Sequence, residues 1–128
     1  MSAKSTEALV NSILNRWSET SNPAAGSTVA ASRAGVANYC HVLDILIASQ
    51  VNKTSAAITS TLHVRDSSIA GTVLAAIEFL PGAASAERVV ERVGIPGLIG
   101  NAIHVSFNTV QASVVQAVTI TGYSEVSN

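Results

Sequence analysis

The hydrophobic residues at the start of the chain follow the spacing of an α-helix. Over residues 5–17 they recur at positions i, i+1, i+4, i+5 and i+8, which places them on one stripe. That stripe consists of Leu9, Val10, Ile13, Leu14 and Trp17. Residues 18–27 contain Pro23 and Gly26 and predict a linker, because both residue types favour turns. We therefore expect an N-terminal amphipathic α-helical arm that lies apart from the rest of the chain.

From residue 28 onward, apolar and polar residues alternate in the way that is typical of β-strands. The predicted strands cover residues 28–32, 38–49, 58–66, 73–80, 101–108 and 113–123. Residues 86–93 fit either a charged edge strand or one turn of helix. No helical segment separates neighbouring strands, so the pattern favours an antiparallel β-sandwich or barrel over a parallel sheet. The expected organisation is an arm and linker over 1–27 and an all-β domain over 28–128.

The length of 128 residues leaves room for one hydrophobic core, and the 48% of hydrophobic residues can fill it. Seven basic and eight acidic residues give a formal net charge of −1. This balance argues against a nucleic-acid partner, since such proteins carry a basic patch. No apolar run is long enough to span a membrane, and the first residues lack the hydrophobic region of a signal peptide. We expect synthesis in a cytoplasm and neither a nucleic-acid nor a membrane partner.

The small number of charges points to an assembly. Charged residues make up 12% of the chain, about half the usual share for a soluble domain. A small apolar protein with so few charges usually hides part of its surface against copies of itself or against a partner. The composition therefore predicts a homo-oligomer.

Three histidines lie in similar apolar settings, and three strand histidines could converge on a zinc ion. By alternation, His63 and His104 point outward, whereas His41 shares the parity of Leu43, Ile45 and Ile47. Metal-binding histidines need a common face and supporting carboxylates. We therefore expect no metal site and no cofactor.

Two further residues have side chains that could act as catalytic groups. Cys40, the single cysteine, adjoins His41, but adjacent strand residues point to opposite faces and cannot form a nucleophile–base pair. We interpret Cys40 as a buried, inert thiol. Asp44 lies inside an apolar strand and fits a catalytic carboxylate, a partner of Arg65 or Arg33, or an interface residue. Because no second carboxylate lies near it, we favour a structural or interface role and assign no catalytic residue.

Residues 94–100 contain several glycines but lack the Lys and Ser or Thr of a phosphate-binding loop. We expect an exposed hydrophobic loop, held by Pro96, that binds a partner. A second contact is expected on the arm, because an isolated helix of about 12 residues is marginal in water and needs packing. The predicted partner-binding residues are Leu9, Ile13, Leu14, Trp17, Ile95, Leu98 and Ile99.

The order of several short segments resembles a known group of proteins. Ser32-Arg33 leads into the strand HVLDILIAS, which is followed by TLHVRD at 61–66, GNAIHVSF at 100–107 and VTITGY at 118–123. This order is similar to that of the small jelly-roll-like β-sandwich proteins of tailed bacteriophages, particularly capsid decoration or cement proteins. The resemblance implies a non-enzymatic protein of the virion. It would bind the major capsid protein on the outside of the head, commonly as a trimer, and stabilise the capsid.

Two other classes of protein fit parts of the pattern. A phage tail or head-fibre component, acting as a carbohydrate-binding adhesin, would need exposed Trp or Tyr beside Asp or Asn, and the chain has one Trp and two Tyr. A cupin-like enzyme would need a histidine cluster with a carboxylate, which the spacing of the three histidines does not provide. Native mass together with metal analysis distinguishes the three classes.

Overall fold

The computed structural model describes residues 16–68, 70–108 and 111–126. They form eight β-strands: β1 Arg16–Ser21, β2 Ala30–Arg33, β3 Tyr39–Asn52, β4 Ser60–Asp66, β5 Val73–Phe79, β6 Ala86–Pro96, β7 Ile103–Phe107 and β8 Val114–Val126. Within these three ranges there is no helix, and so none with the length and hydropathy that crossing a membrane requires.

The predicted N-terminal helical arm is wrong. Arg16 and Trp17, which the helical spacing placed at its end, begin β1 instead. β1 pairs antiparallel with β8 over its whole length, with Arg16 opposite Tyr123. A short helix gains little stability from its own sequence, so hydrogen bonding to a long strand decides the conformation here. The remainder of the predicted helix, residues 5–15, lies outside the described residues.

The strands form two four-stranded antiparallel sheets. The first sheet has the order β1-β8-β3-β6, and the second sheet has the order β2-β7-β4-β5. Every connection crosses from one sheet to the other except the hairpin between β4 and β5. This is the connectivity of an eight-stranded jelly roll, in which two Greek keys interlock. The all-β antiparallel sandwich is therefore confirmed, and residues 86–93 form part of strand β6.

The core lies between the inner faces of the two sheets. Its largest fully buried aliphatic side chains are Leu43, Leu46 and Ile120 from the first sheet and Leu62 and Ile103 from the second. Phe79 and Phe107 meet edge to face with their ring centroids 5.2 Å apart. At the β1 edge, Trp17 joins this core, and an ion pair between Arg33 and Glu19 at 3.2 Å links β2 to β1.

A β-bulge at Asp44 changes which residues of β3 face the core. Asp44 is an extra residue between Leu43 and Ile45 relative to the facing strand β8. The bulge reverses the alternation, so Ile45 and Ile47 face outward. Simple alternation along the sequence would put Ile45 and Ile47 on the same face as His41, and His41 is buried.

β6 is an edge strand that carries alternating charges. Glu87 and Glu91 lie opposite inward-facing residues of β3, whereas Arg88 and Arg92 lie opposite outward-facing ones. In an antiparallel pair, directly opposite residues share a face. If β6 of a second copy paired antiparallel with this β6 about its centre, Glu87 would therefore lie opposite Glu91, or Arg88 opposite Arg92. This like-charge repulsion opposes extension of the first sheet through β6.

Candidate interaction surfaces

One end of the sandwich exposes a group of aliphatic side chains, which we call the apolar tip. It consists of Val36, Leu98, Ile99 and Val126. Leu98 is 56% exposed and Ile99 is 61% exposed. Tyr39 connects the three segments that form the tip. Its N–H donates to the carbonyl of Val36 at 3.1 Å, its carbonyl accepts from the N–H of Gly100 at 2.7 Å, and it pairs with Val126.

The loop that carries Leu98 and Ile99 is fixed to the sandwich on both sides. Before these residues, the N–H of Gly97 donates to the carbonyl of His41 at 2.8 Å. After them, Gly35 packs so closely that a Cβ atom there would lie 2.3 Å from the carbonyl oxygen of Gly100. The two exposed side chains are therefore held in place before any partner binds.

The side of the first sheet that faces away from the core is also aliphatic, and we call it the outer face. The aliphatic residues of its centre are Ile45, Ile47, Val51, Val90, Val115 and Ala117, and Ser49, Thr119 and Thr121 lie among them. Ser18 and Thr20 of β1 border this centre on one side, and Arg88 and Arg92 of β6 border it on the other. Sequence reasoning missed this surface. The available signal was the nearly continuous apolar run of β3, which is typical of a strand covered on both faces.

The predicted partner-binding residues fall into four groups. Trp17 is 5% exposed and lies in the core, so it is not available to a partner. Ile95 ends up half-buried in β6, where it packs against the core. Leu98 and Ile99 belong to the apolar tip. The other three, Leu9, Ile13 and Leu14, lie outside the described residues.

Asp44 forms an ion pair with a residue that the sequence did not suggest. Its Oδ2 lies 3.1 Å from Nη2 of Arg16 at the β1 side of the outer face. Arg33 pairs with Glu19 instead, and Arg65 donates to a loop carbonyl. Because both partners keep solvent access, the pair contributes little to stability.

Cys40 and His41 point to different surroundings, as their adjacency in a strand predicts. Nε2 of His41 lies 2.7 Å from the carbonyl oxygen of Ala34, which can only accept, so Nε2 carries the proton. Nδ1 then accepts from the hydroxyl of Ser124 at 2.7 Å. Burial, and to a lesser extent the Glu125 carboxylate, raises the pKa of the Cys40 thiol. A thiol held in its protonated form is a poor nucleophile.

The three histidines do not converge. His41 lies in the core, whereas His63 and His104 lie on the side of the second sheet that faces away from it. In the three described ranges, no three His, Cys, Asp or Glu residues are grouped so that they could hold a metal ion.

His104 makes the stability of the fold depend on pH. Burial, and to a lesser extent the Arg65 guanidinium, lowers the pKa of His104 below its ordinary 6.5. The unfolded chain therefore binds this proton more tightly than the folded chain does. The stability that neutral His104 contributes is complete above pH 6.5 and is lost as the pH falls toward the lowered pKa. We expect the urea midpoint to fall between about pH 7 and about pH 5, and His104→Gln to remove that part of the fall.

The control for this titration is Ser32→Ala, which changes the residue paired with His104 on β2 without removing a titrating group. It should keep the pH dependence of the wild type. A His104→Gln variant with an unchanged pH dependence would show that His104 does not contribute to it.

Comparison with known proteins leaves the family of this chain open, since no protein-family model and no curated protein sequence matches it. Among solved structures, a chain from disulfide-linked pili of Bacillus endospore appendages is 11% identical over 89% of this chain and 87% of its own, with a TM-score of 0.36. A family 11 carbohydrate-binding module from Clostridium thermocellum is 11% identical over 88% and 86%, with a TM-score of 0.34. A nora virus chain is 14% identical over 88% and 56%, with a TM-score of 0.40. Likenesses this distant transfer no function to the chain.

Proposed function

We propose that this protein is a non-enzymatic structural protein of a tailed-phage particle. In this role it binds the outer surface of the head as a homo-oligomer and reinforces the capsid. The order of its sequence segments supports the proposal, as does the low share of charged residues. Both the fold and the composition suit a protein that works by contact with other chains.

The apolar tip is the observation that carries this proposal. Two large aliphatic side chains, Leu98 and Ile99, are more than half exposed on a loop that is tied to β3. Exposed apolar patches on soluble proteins usually mark contact sites, and a fixed loop pays little conformational entropy on binding. We assign the contact with the major capsid protein to the apolar tip.

The alternative role as a carbohydrate-binding fibre component receives less support. Such a site would present an exposed aromatic ring to a sugar. Trp17, Phe79 and Phe107 are buried, and Tyr39 and Tyr123 are half-buried. These five side chains are all the aromatic residues of the chain, so no ring is more than partly exposed.

Leu98→Lys is expected to weaken binding to phage heads by at least about tenfold, because burying a leucine side chain contributes about 1.5–3 kcal/mol. Binding is measured by co-sedimentation of the purified chain with heads of the phage that encodes it, stripped of this protein. The matched control is Leu80→Lys, which adds the same charge at an equally exposed leucine at the opposite end of the sandwich. Equal losses in both variants would remove the apolar tip as the contact.

The particle role itself is tested by immunogold electron microscopy of the same phage with an antibody against the chain. We expect gold on the heads. Gold confined to tails or fibres would favour the alternative role, and particles without gold would contradict both.

A further inference from the structure

The outer face of the first sheet has the layout of a protein–protein interface. Its centre is mainly aliphatic, from Ile45, Ile47 and Val51 on β3 to Val90 on β6, and it includes the small hydroxyl side chains of Ser49, Thr119 and Thr121. Its borders are polar, with hydroxyl groups on β1 and arginines on β6. An apolar centre inside a polar rim distinguishes interfaces from ordinary surface. Nothing among the described residues covers this face.

We infer that the outer face binds the outer face of a second copy of this chain, so that two sandwiches pack back to back. The inference deepens the homo-oligomer part of the proposed function, but it does not depend on the particle role. A contact of a surface with itself about a twofold axis gives a dimer. It therefore differs from the trimer that the sequence resemblance implies.

The size of the outer face suits this occupant. β3 and β8 pair from Tyr39 opposite Val126 to Asn52 opposite Val114, which makes the long axis of the face about 40 Å. Four strands side by side make it about 19 Å wide. Because β1 has only six residues, the four strands together offer roughly 700 Å² to a partner, which is close to the roughly 800 Å² that each subunit of a stable complex typically buries. A short peptide would leave most of it uncovered.

The charges on the rim select the orientation of the two copies. A twofold axis perpendicular to the strands would stack β6 on β6 and bring Arg88 and Arg92 against the same residues of the other copy. An axis parallel to the strands places β6 over the β1 edge, where Ser18 and Thr20 offer hydroxyl oxygens as acceptors. Asp44, the acidic residue at this edge, is already paired with Arg16 at 3.1 Å. The arrangement with the axis parallel to the strands keeps Arg88 and Arg92 away from the same residues of the other copy.

The test is sedimentation equilibrium of the full chain from about 1 to about 100 µM. We expect a dimer for the wild type and a dissociation constant raised about 100-fold or more by Ile47→Lys, which puts a charge at the centre of the contact. Val90→Lys serves as a second variant. Val90 is 59% exposed on an edge strand, so its replacement leaves the fold intact and should raise the constant as well. The matched control is Leu80→Lys, because Leu80 is an exposed leucine that follows β5 in the second sheet. This variant should dimerise like the wild type.

Several outcomes would overturn the inference. A wild-type chain that stays monomeric over the whole range would do so, and so would a trimer. Unchanged association in Val90→Lys would exclude the outer face as the contact. None of these results affects the immunogold result, so failure of the dimer and failure of the particle role are separate findings.

The orientation is tested with Arg88→Glu. If β6 lies over β1, this replacement leaves association near the wild-type value or weakens it. Tighter association of Arg88→Glu would mean that β6 stacks on β6, and would overturn the proposed orientation.

Discussion

Replacing Trp17 by alanine is expected to lower the free energy of unfolding by about 3–5 kcal/mol, the usual range for removing a buried tryptophan. The ring lies over Gly122 of β8, where a Cβ atom would come within 2.5 Å of its Cζ2. It also meets the His41 ring edge on at 5.8 Å, and the Arg33 guanidinium lies 5.9 Å from its centroid. Alanine would leave a cavity under β1, because Gly122 has no side chain to fill it and the His41 ring is held by two hydrogen bonds. Urea unfolding followed by far-UV circular dichroism measures the loss.

Two variants make this result specific to the packing of β1. Ser18→Ala changes the next residue of the same strand, which faces outward, and should change stability by less than about 0.5 kcal/mol. Gly122→Val fills the space that the ring occupies and should destabilise the fold as strongly as Trp17→Ala. A small loss in Trp17→Ala, equal to that in Ser18→Ala, would mean that β1 is not packed on the sandwich in solution.

β1 also shows where sequence reasoning reached its limit. In β4, buried Leu62 and Val64 alternate with partly exposed His63 and Arg65, so the sequence of this strand is enough to predict its two-residue period. β1 has six residues and one inward apolar side chain, Trp17, which equally completes a helical stripe. The information that decides between the two lies in β8, about a hundred residues away, because Gly122 leaves room for the ring. The periodicity of neighbouring residues gives no information about a contact between residues so far apart in the sequence.

The two candidate surfaces also differ in whether the sequence could predict them. The loop that carries Leu98 and Ile99 could be predicted because glycine, proline and aliphatic residues follow one another locally. The outer face could not, because simple alternation along β3 puts its central residues, Ile45 and Ile47, on the same side as His41 and Leu43. A single bulged residue, Asp44, reverses that alternation. Its position depends on the pairing of β3 with both neighbouring strands rather than on β3 alone.

At the end of the sandwich opposite the apolar tip, one buried side chain joins three segments. Asn52, at the end of β3, is 1% exposed. Its Nδ2 donates to the carbonyls of Ala56 at 2.7 Å and Gly82 at 3.0 Å. Its Oδ1 accepts from the N–H of Thr54 at 2.9 Å and from the Thr54 hydroxyl at 2.6 Å. One amide therefore fixes both the β3–β4 loop and the β5–β6 loop. Because it is buried and fully hydrogen-bonded, it is closed to modification although Asn52-Lys53-Thr54 is a glycosylation triplet.

Asn52→Ala is therefore expected to lower the free energy of unfolding by about 3–5 kcal/mol. Alanine removes four hydrogen bonds at once, and each contributes about 1 kcal/mol. The loss is measured by urea unfolding, with Lys53→Ala as the exposed neighbouring control that should stay within about 0.5 kcal/mol of the wild type. Thr54→Val removes only one hydroxyl and should cost about 1 kcal/mol. If Asn52→Ala cost no more than Thr54→Val, water would have to replace the amide, and the two loops would not depend on Asn52 for their conformation.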